Sequence, residues 1–403
     1  SFSILPATAN ASRMQSLRDL LTESRISVEI VTGTRNSGDP RANLRQDGDA
    51  SRPRLLGFSR GSGLLQRPES HFLSTAREVS IAFTQMLQRI RRKRPDLIIL
   101  YSSSPEMTFL VLVVCRTLGI KIIVETNELM DRNTFVKRHG RLGWLRHRLG
   151  HIVLPRRADG HLVISEKIAR QFDGLGTPIL ILPALLPLHL QDLSDHEEHF
   201  CSGSESKSGR AKRILYVGTG KPEDGLEALL EASQLLSNRD CPHTLVLMGP
   251  SHRLSELVET SRVESSNADL THYEFIDGLD ERQYLAAIHA CDVAVLPRPP
   301  LQVNEANFPT RLPEFFAAAI PVIAGGSGDV ARLLDHGEDL LILDKSSPEE
   351  IASALEELFA SPKLYTRLQG NSRKVVEQNF SIATHLTPFQ EFINQILASG
   401  SRS

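Results

Sequence analysis

Cysteine, tryptophan and long apolar runs are scarce in this chain of 403 residues. The four cysteines lie far apart and form no paired motif, which argues against a disulfide framework and against a cysteine-based metal site. The longest apolar run, near residues 109–114, is much shorter than the ~20 residues that cross a bilayer. We therefore expect a cytoplasmic protein, either soluble or peripheral at the inner face of the membrane.

Acidic residues are few in the first half of the chain, and basic residues are few in the second. Residues 1–190 contain 28 Lys and Arg against 16 Asp and Glu, whereas the remainder contains 18 against 32. The charge balance is thus +12 in the first half and −14 in the second. Such a difference suggests that one domain meets an anionic surface and that the other does not.

The order of apolar and helical segments predicts an α/β protein with two Rossmann-like, doubly wound domains. A chain of this length, with 40% hydrophobic residues, is sufficient for two such cores. From residue 213, short apolar strands alternate with helices, which places a ligand crevice at the carboxyl ends of the strands. We divide the chain into a first domain (residues 1–190), a linker rich in Ser, Gly, His and acidic residues (191–210), a second domain (211–380) and a closing helix (381–403).

Strands and helices can be assigned along both domains from the spacing of apolar residues. The predicted strands lie at residues 2–6, 26–32, 54–58, 97–101, 121–125, 160–165, 179–183, 214–218, 244–249, 273–277, 292–297, 321–325 and 340–343. The predicted helices lie at residues 11–24, 75–93, 109–118, 226–236, 254–262, 281–290, 311–319, 330–334, 348–359 and 363–378.

Residues 303–326 form a polar loop, a helix and a buried strand in quick succession. Thr310 is the predicted N-cap of the helix, so the amides of Arg311 and Leu312 would face the preceding loop without a helical partner. The helix dipole and the Arg311 side chain both favour a phosphate there. Glu314 follows one turn inside the helix, within reach of a sugar hydroxyl. The alternative to a ligand site is an ordinary αβ unit in which Glu314 is a solvated acid of the first helical turn.

The motifs of the second half occur in a characteristic order. They are Tyr216-Val217-Gly218, Leu247-Met248-Gly249-Pro250, Asp277-Gly278, residues 292–297 and the glutamate-containing segment 303–326. Together they resemble the retaining, family 4-like glycosyltransferases of group 1, which have the GT-B fold.

This resemblance implies transfer of a sugar from a nucleotide-diphosphate donor to an acceptor hydroxyl, with retention, in polysaccharide or glycolipid assembly. It implies a donor-binding second domain and an acceptor-side first domain that face a central cleft, with a lipid-linked or saccharide acceptor. It also implies that the closing helix packs back on the first domain. In relatives, a glutamate at the position of Glu314 binds the donor, most often at its ribose. The implied donor-binding residues are Gly218, Thr219, Lys221, Gly278, Arg298, Thr310, Arg311, Leu312 and Glu314.

A second glutamate of the family motif usually precedes the first with seven residues between them. That position is Ala306 here, so the neighbouring Glu305 becomes the catalytic candidate. Asn127 and Glu128 are the other catalytic candidates, because they follow a predicted strand where relatives place a His or an acid that faces the acceptor. We expect neither a metal nor another cofactor.

Two cations that clamp the diphosphate in relatives are replaced here by Thr219 and Asp224. Lys221 and Arg311 could form a variant clamp, with Arg298 as a further cation. The replacements leave two alternatives open. One is a non-catalytic GT-B protein that binds a nucleotide sugar or a lipid, and the other is a sugar-nucleotide epimerase of the same fold.

Residues 132–158 contain eight Lys or Arg, three His and no acid, together with the chain's single tryptophan, Trp144. A basic amphipathic helix with Trp at its apolar edge is typical of a segment that lies in a membrane interface. The residues predicted to face an anionic membrane and acceptor are Arg138, Arg141, Trp144, Arg146 and Arg148. A helix packed on its own domain with a solvated basic face is the alternative, and nucleic acid is not an expected partner because no recognised module accompanies the charge.

Overall fold

The structure is a computed structural model that describes residues 9–32, 54–59, 83–84, 86–101, 105–190, 211–264, 272–279 and 281–399. The chain divides into two compact units. The N-terminal unit comprises Leu17–Pro183 and His385–Ser403, and the C-terminal unit comprises Ser1–Ser16 and Ala184–Thr384. The predicted strand at 2–6, most of the helix at 75–93 and the linker at 191–210 lie outside the described residues.

In the described part of the N-terminal unit, six parallel strands form the sheet, in the order β1-β2-β3-β4-β5-β6. They are β1 Ser27–Thr32, β2 Arg54–Ser59, β3 Leu97–Tyr101, β4 Lys121–Thr126, β5 Gly160–Val163 and β6 Ile179–Ile181. Its labelled helices are α1 Ala9–Glu23, α2 Pro105–Leu118, α3 Arg132–Arg148 and α4 Glu166–Ala169, and residues 86–93 are also helical. All five residues of β3 are buried, as expected for a central parallel strand covered on both faces.

The C-terminal unit contains a second parallel sheet, in the order β12-β11-β10-β7-β8-β9. Its strands are β7 Lys212–Val217, β8 His243–Met248, β9 His272–Ile276, β10 Val293–Leu296, β11 Val322–Gly325 and β12 Leu341–Leu343. The helices from residue 226 onward are α5 Leu226–Asn238, α6 Ser251–Glu264, α7 Glu281–His289, α8 Gln302–Ala306, α9 Leu312–Ala317, α10 Val330–Leu333, α11 Pro348–Ala360, α12 Pro362–Val375 and α13 Ile382–Ala398. The two sheets confirm the predicted fold class of paired Rossmann-like, parallel α/β domains.

Each unit has its own apolar core. In the C-terminal unit, α5 and α11 pack on one side of the sheet through Leu229, Leu236, Leu355 and their neighbours. In the N-terminal unit, Val111 and Cys115 of α2 pack with residues of β3 and β4. These apolar residues recur every three or four positions in the helices, which explains why the pattern predicted the elements correctly.

The final helix, α13, provides apolar side chains to the N-terminal unit, to which its residues from His385 onward belong. Gly160, the first residue of β5, lies directly beneath it. A Cβ atom at Gly160 would overlap Ile396 and would lie 3.2 Å from the ring of Phe392. The absence of a side chain at this position therefore allows the helix to approach the strand.

The basic stretch at residues 132–158 is not the single amphipathic helix that we predicted. The helix α3 contains a kink at Gly140, where the backbone has φ 72° and ψ 174°. A π-helical turn, Leu149–Val153, and a 3-10 turn, Pro155–Arg157, follow it. The physical reason is the glycine at the kink, which adopts a non-helical conformation at low cost, and the proline, which cannot continue an α-helix.

Candidate functional site

The C-terminal sheet has a topological switch point between β7 and β10. The chain proceeds from β7 through β8 to β9 on one side, and from β10 through β11 to β12 on the other. Both strands are parallel, with Val293 opposite Ile214, so the loops that follow them leave the same edge of the sheet. Such a position is where open α/β sheets form their ligand crevice.

The loops that follow β7 and β10 are in direct contact. Gly225, which precedes α5, has φ 74°, and a Cβ atom there would overlap the carbonyl oxygen of Pro297. Similarly, a Cβ atom at Gly325, the last residue of β11, would overlap the carbonyl oxygen of Arg298. The backbones of three loops thus pack closely because two glycines leave room for them.

Asn304 links these loops through its side chain, and sequence reasoning missed it. Its amide donates to the carbonyl oxygens of Glu223 (2.9 Å) and Pro299 (2.8 Å), and its oxygen accepts from Arg298 Nη2 (2.7 Å). The side chain is buried because Asn304 belongs to α8, a short helix where we predicted only a polar loop. The apolar Val303 and Ala306, three residues apart, were the available signal for that helical turn.

Arg298 takes part in the same network. Its Nη1 donates to the carbonyl oxygen of Asn307 (3.2 Å), in addition to the bond from Nη2 to Asn304. The guanidinium of this residue therefore fastens the segment before α9 to the end of β10. In the structure, the Arg298 guanidinium binds atoms of the protein's own loops. Its contact with a donor stays a prediction.

The loop after β7 is organised by Asp224. Its Oδ2 accepts from the Thr219 hydroxyl and from the Lys221 amide, both at 3.2 Å. The amide of Gly220 donates to the buried Tyr216 hydroxyl (3.3 Å). Thr219 and Asp224 stand where the family that the sequence resembles has two cations, and here they stabilise the conformation of the loop. The side chain of Lys221, in the same loop, is exposed. The loop begins at Gly218, where a Cβ atom would overlap the Tyr216 ring.

Glu314 lies in a buried cluster with Arg311 and Tyr284. Both of its carboxylate oxygens accept from Arg311 Nη1, at 3.2 and 2.9 Å, and Oε2 also accepts from the Tyr284 hydroxyl at 2.7 Å. The Arg311 guanidinium lies 5.3 Å from the centre of the Tyr284 ring. Burial opposes the charge of Arg311, but the adjacent Glu314 raises the pKa of the guanidinium overall. The pKa of Tyr284 is also raised, by burial and by Glu314.

The start of α9 differs from our prediction. Arg311, not Thr310, occupies the N-cap position, and no side chain caps the helix. The amide of Leu312 donates to the carbonyl oxygen of Pro309 at 3.1 Å, so it is not available to a ligand as we expected. The reason is that the hydrogen bond from Leu312 to Pro309 already forms a turn before α9, and the carbonyl group of Pro309 lies one residue before the predicted cap, Thr310.

Two further candidates of the C-terminal unit have local partners. Glu305 accepts from the amide of Gly328 (3.3 Å), which has φ 65°. Gly278 has φ 68°, and its amide donates to the preceding Asp277 (2.7 Å). Asp277 also accepts from the amide of Ser251 at 3.1 Å. These bonds fix the loops after β9 and β11 at the same edge of the sheet.

The acceptor-side candidates lie at the carboxyl end of β4 in the N-terminal unit. The Asn127 amide donates to the Tyr101 hydroxyl at the end of β3 (2.8 Å), and Glu128 is exposed. Glu128 thus presents its carboxylate at the edge where a parallel sheet binds ligands, with Asn127 held beside it.

The N-terminal unit also exposes a group of large apolar side chains beside arginines, which we term the apolar–basic face. Its apolar members are Phe109, Val113, Leu142, Leu145, Leu149 and Val153. Its exposed arginines are Arg141, Arg146 and Arg148. The side chain of Arg138 is outside the described part.

The helix α2 adjoins the end of α3 and the segment that follows α3 at this face. Arg146 Nη2 donates to Glu106 Oε2 (2.8 Å), and a Cβ atom at Gly150 would lie 3.2 Å from Pro105. Arg116 Nη2 donates to the carbonyl oxygen of Arg157 (3.2 Å). The exposed apolar residues of the face therefore lie on segments that contact each other.

Trp144 is half-buried, in contrast to our expectation that it would lie at an exposed apolar edge. Its ring centre lies 6.0 Å from that of Phe135 and 5.7 Å from that of His147. Burial, followed by the neighbouring His151 and His139, lowers the pKa of His147 to about 3. The kink at Gly140 separates the two halves of α3, and it is Leu142 and Leu145, 78% and 62% exposed, that meet solvent.

Among the described residues, no group of three or more His, Cys, Asp or Glu side chains has the geometry to hold a metal ion. In the same part of the chain, no helix combines the length and the apolar character required to cross a bilayer.

Comparison with known proteins identifies the family. Residues 211–361 match the family described as glycosyl transferases group 1, and residues 11–183 match the glycosyl transferase 4-like domain. No curated protein matches the chain.

Solved structures share the fold at low sequence identity. The sucrose-phosphate synthase of Thermosynechococcus elongatus has a TM-score of 0.62 and 16% identity, over 87% of this chain and 90% of its own. A glycosyltransferase of Rickettsia africae has a TM-score of 0.61 and 14% identity, over 87% and 91%. HepE of Anabaena, in complex with UDP-glucose, has a TM-score of 0.57 and 14% identity, over 85% and 92%. With one family match on each sheet, the chain belongs to the family 4-like glycosyltransferases of group 1, which have the GT-B fold.

Proposed function

We propose that this glycosyltransferase transfers a sugar from a nucleotide-diphosphate donor to an acceptor hydroxyl, with retention of the anomeric configuration. The observation that carries the donor assignment is the switch point of the C-terminal sheet, where Asn304 joins the loops after β7 and β10. A crevice built from such loops is suited to a nucleotide. HepE of Anabaena, which has the same fold, has been crystallised with UDP, with UDP and glucose and with UDP-glucose.

In the proposed reaction, the acceptor oxygen bonds to the anomeric carbon on the face from which the diphosphate departs. The bond from the anomeric carbon to the phosphate oxygen breaks, and the leaving phosphate takes the acceptor proton. Lys221, exposed on the loop after β7, and Arg311 would stabilise the negative charge that develops on the diphosphate. Glu305 would orient the sugar, and Asn127 with Glu128 would receive the acceptor.

We further propose that the acceptor is carried by a lipid in an anionic membrane, as in glycolipid or polysaccharide assembly. The apolar–basic face supports this choice because exposed leucines and arginines occur together on one surface. Apolar side chains favour the headgroup boundary, and each basic residue near anionic lipid contributes about 1 kcal/mol. The cytoplasmic leaflet has the required negative charge.

The donor assignment is tested by a screen of nucleoside diphosphates and their sugars by thermal shift, followed by assays of transfer and of product anomer. A ligand at 100 times its Kd should stabilise the protein by about 2.7 kcal/mol. Binding together with transfer to an α-linked product from an α-linked donor supports the proposal. Binding without transfer or hydrolysis would instead identify a non-catalytic binding protein, and a changed sugar in the recovered nucleotide would identify an epimerase.

The membrane assignment is tested by vesicle sedimentation, with and without anionic lipid, at low and high salt. We expect binding to anionic vesicles that weakens as salt shortens the Debye length. Replacing Arg141 and Arg148 by Glu, or Leu142 and Leu145 by Ser, should abolish binding. The control variant Lys363→Glu/Lys374→Glu makes the same change in net charge on exposed residues of α12 and should bind normally.

Two outcomes contradict the membrane assignment. Equal binding of all variants would show that another surface contacts the lipid. Self-association that depends on Leu142 and Leu145, without vesicle binding, would assign the face to a second copy of the chain.

A further inference from the structure

The loop after β7 rests on α6, the helix that follows the neighbouring strand β8. Gly220 in this loop has φ 65°, and a Cβ atom there would overlap Leu257 Cδ1 and would lie 3.2 Å from Leu254 Cδ2, both of α6. A Cβ atom at Gly249, between β8 and α6, would overlap the carbonyl oxygen of Gly218. The loops after β7 and β8 therefore lie in close contact at the carboxyl edge of the sheet, and α6 supports the first of them.

Arg253 adds a polar bond to this apolar contact. It lies in the first turn of α6, and its Nη2 donates to the carbonyl oxygen of Gly220 at 3.2 Å, although the side chain as a whole is exposed. Leu257 lies four residues further along the helix, so both side chains project from the same face of α6. The bond from Arg253 fixes the peptide group that joins Gly220 to Lys221.

Lys221 supplies the positive charge of this loop, whereas several amides of the loop are already bonded. The amides of Gly218, Gly220 and Lys221 each donate to other groups of the protein. A lysine carries its charge on a flexible stem, so the ammonium group is well placed only when the backbone beneath it is fixed. The exposed Lys221 side chain therefore depends on the peptide group that Arg253 holds.

We propose that Arg253 is a positioning residue of the donor site, which holds the peptide group before Lys221 and thereby places the lysine ammonium where the diphosphate departs. This inference rests on the proposed function, which assigns the diphosphate to Lys221. Arg253 acts through the loop and does not touch the donor. With Thr219 and Asp224 in place of the family's two cations, the loop relies on one lysine whose position a second element, α6, fixes.

Amide hydrogen exchange on the full chain tests the support of the loop without any substrate. Arg253→Ala should raise exchange in the segment 219–224 several-fold, because the loop loses its bond to α6 and opens more often. Arg156→Ala is the matched control, since this exposed arginine of the other unit likewise donates to a main-chain carbonyl, that of Gln171 at 3.1 Å. The control should leave exchange in the segment unchanged.

A double-mutant cycle of Arg253 and Lys221 tests the role in catalysis. Arg253→Ala should lower kcat about tenfold and change the donor KM less than about threefold, because the lysine acts on charge that develops as the bond breaks. In the Lys221→Ala background, Arg253→Ala should change kcat less than about twofold, since the group that it positions is absent. Arg253→Lys keeps a donor for the Gly220 carbonyl and should restore part of the rate.

Three results would overturn the proposal. Unchanged exchange in Arg253→Ala would show that the loop keeps its conformation without the bond to α6. An equal loss of kcat from Arg253→Ala with and without Lys221 would show that Arg253 acts on the donor directly. A rise in KM at unchanged kcat would have the same meaning. A wild-type protein that transfers no sugar would instead contradict the proposed function, and hydrogen exchange would still decide whether Arg253 holds the loop.

Discussion

The charged groups of the two units are arranged in opposite ways. In the C-terminal unit, Arg311 and Glu314 are paired within a buried cluster, and Arg298 is bonded to loop atoms. In the N-terminal unit, the arginines of the apolar–basic face are exposed, and the pair of Arg146 with Glu106 leaves 43% of each side chain accessible. The first arrangement fixes geometry at short range, whereas the second provides attraction that salt can screen.

This difference assigns separate tasks to the two charge distributions. A buried cation that is held by a carboxylate and an aromatic ring can select the shape of a small anionic group. Exposed cations beside exposed leucines cannot select a shape, but they can hold a surface that is both anionic and apolar. The +12 balance of residues 1–190 and the −14 balance of the remainder follow the same division.

The largest effect is expected from removing one partner of the buried pair. Glu314→Ala leaves the Arg311 charge unpaired and should lower the free energy of unfolding by about 3 to 5 kcal/mol. Glu106→Ala removes the exposed pair of the other unit and should cost less than about 1 kcal/mol. Urea unfolding followed by circular dichroism measures both, and Trp144 fluorescence isolates the N-terminal unit. Equal small losses would contradict the contrast between the two units.

The next largest effect is expected from removing an exposed cation of the site, Lys221. Lys221→Ala should reduce the rate of sugar transfer by about 10²- to 10³-fold, because one donor to the departing diphosphate is lost. Arg239→Ala is the control, since Arg239 lies beyond the far end of α5, which begins at the site. Initial rates at saturating donor provide the measurement. Wild-type rates in Lys221→Ala would exclude this residue from the clamp.

A smaller loss is expected when the loops are released from each other. Asn304→Leu removes three hydrogen bonds, one from Arg298 and two to carbonyl oxygens, and each buried group that stays unsatisfied costs about 1 to 3 kcal/mol. The KM for the donor should rise as the stability falls, because the loops after β7 and β10 would separate. Asn371→Leu removes a single bond to the Glu338 carbonyl and serves as the control. An unchanged KM in Asn304→Leu would mean that the loops keep their positions without this side chain.

The smallest effect near neutral pH is a dependence of the N-terminal unit on pH. The pKa of His147 is about 3 in the folded protein, against 6.5 ordinarily, so the unfolded chain binds the proton first as the pH falls. Stability is therefore complete above pH 6.5 and is lost as the pH falls towards 3, by at most about 1.4 kcal/mol per pH unit for this group.

Trp144, whose ring lies 5.7 Å from that of His147, reports this change by fluorescence during urea unfolding at several pH values. His147→Phe keeps a ring in the stack and should flatten the dependence, whereas the exposed His252→Phe should not. An equally steep dependence in His147→Phe would assign the proton uptake to other groups.

The parallel strands of both sheets were predictable from the sequence because local periodicity encodes them. The bounds of β10 differ from the predicted ones by one residue at each end, and the bounds of β3 agree with the prediction. Glu314 and its short helix were also found, since a glutamate before a strand is a local pattern. The helix α8 and the kink at Gly140 were missed. Two apolar residues three positions apart are a weak signal for a helix of five residues, and a single backbone angle has no periodic signature.

The sequence by itself determined the α/β class, the family and the separation of charge between the two halves, because each depends on composition or on the order of local segments. Only the tertiary structure decided which of the charged residues are paired. Tyr284 is 27 positions away from Arg311 in the chain, and Glu223 is 81 positions away from Asn304, yet each pair is in contact. Hydrogen bonds and ion pairs act over a few ångströms in space, so no spacing within the chain could have revealed which group each side chain would meet.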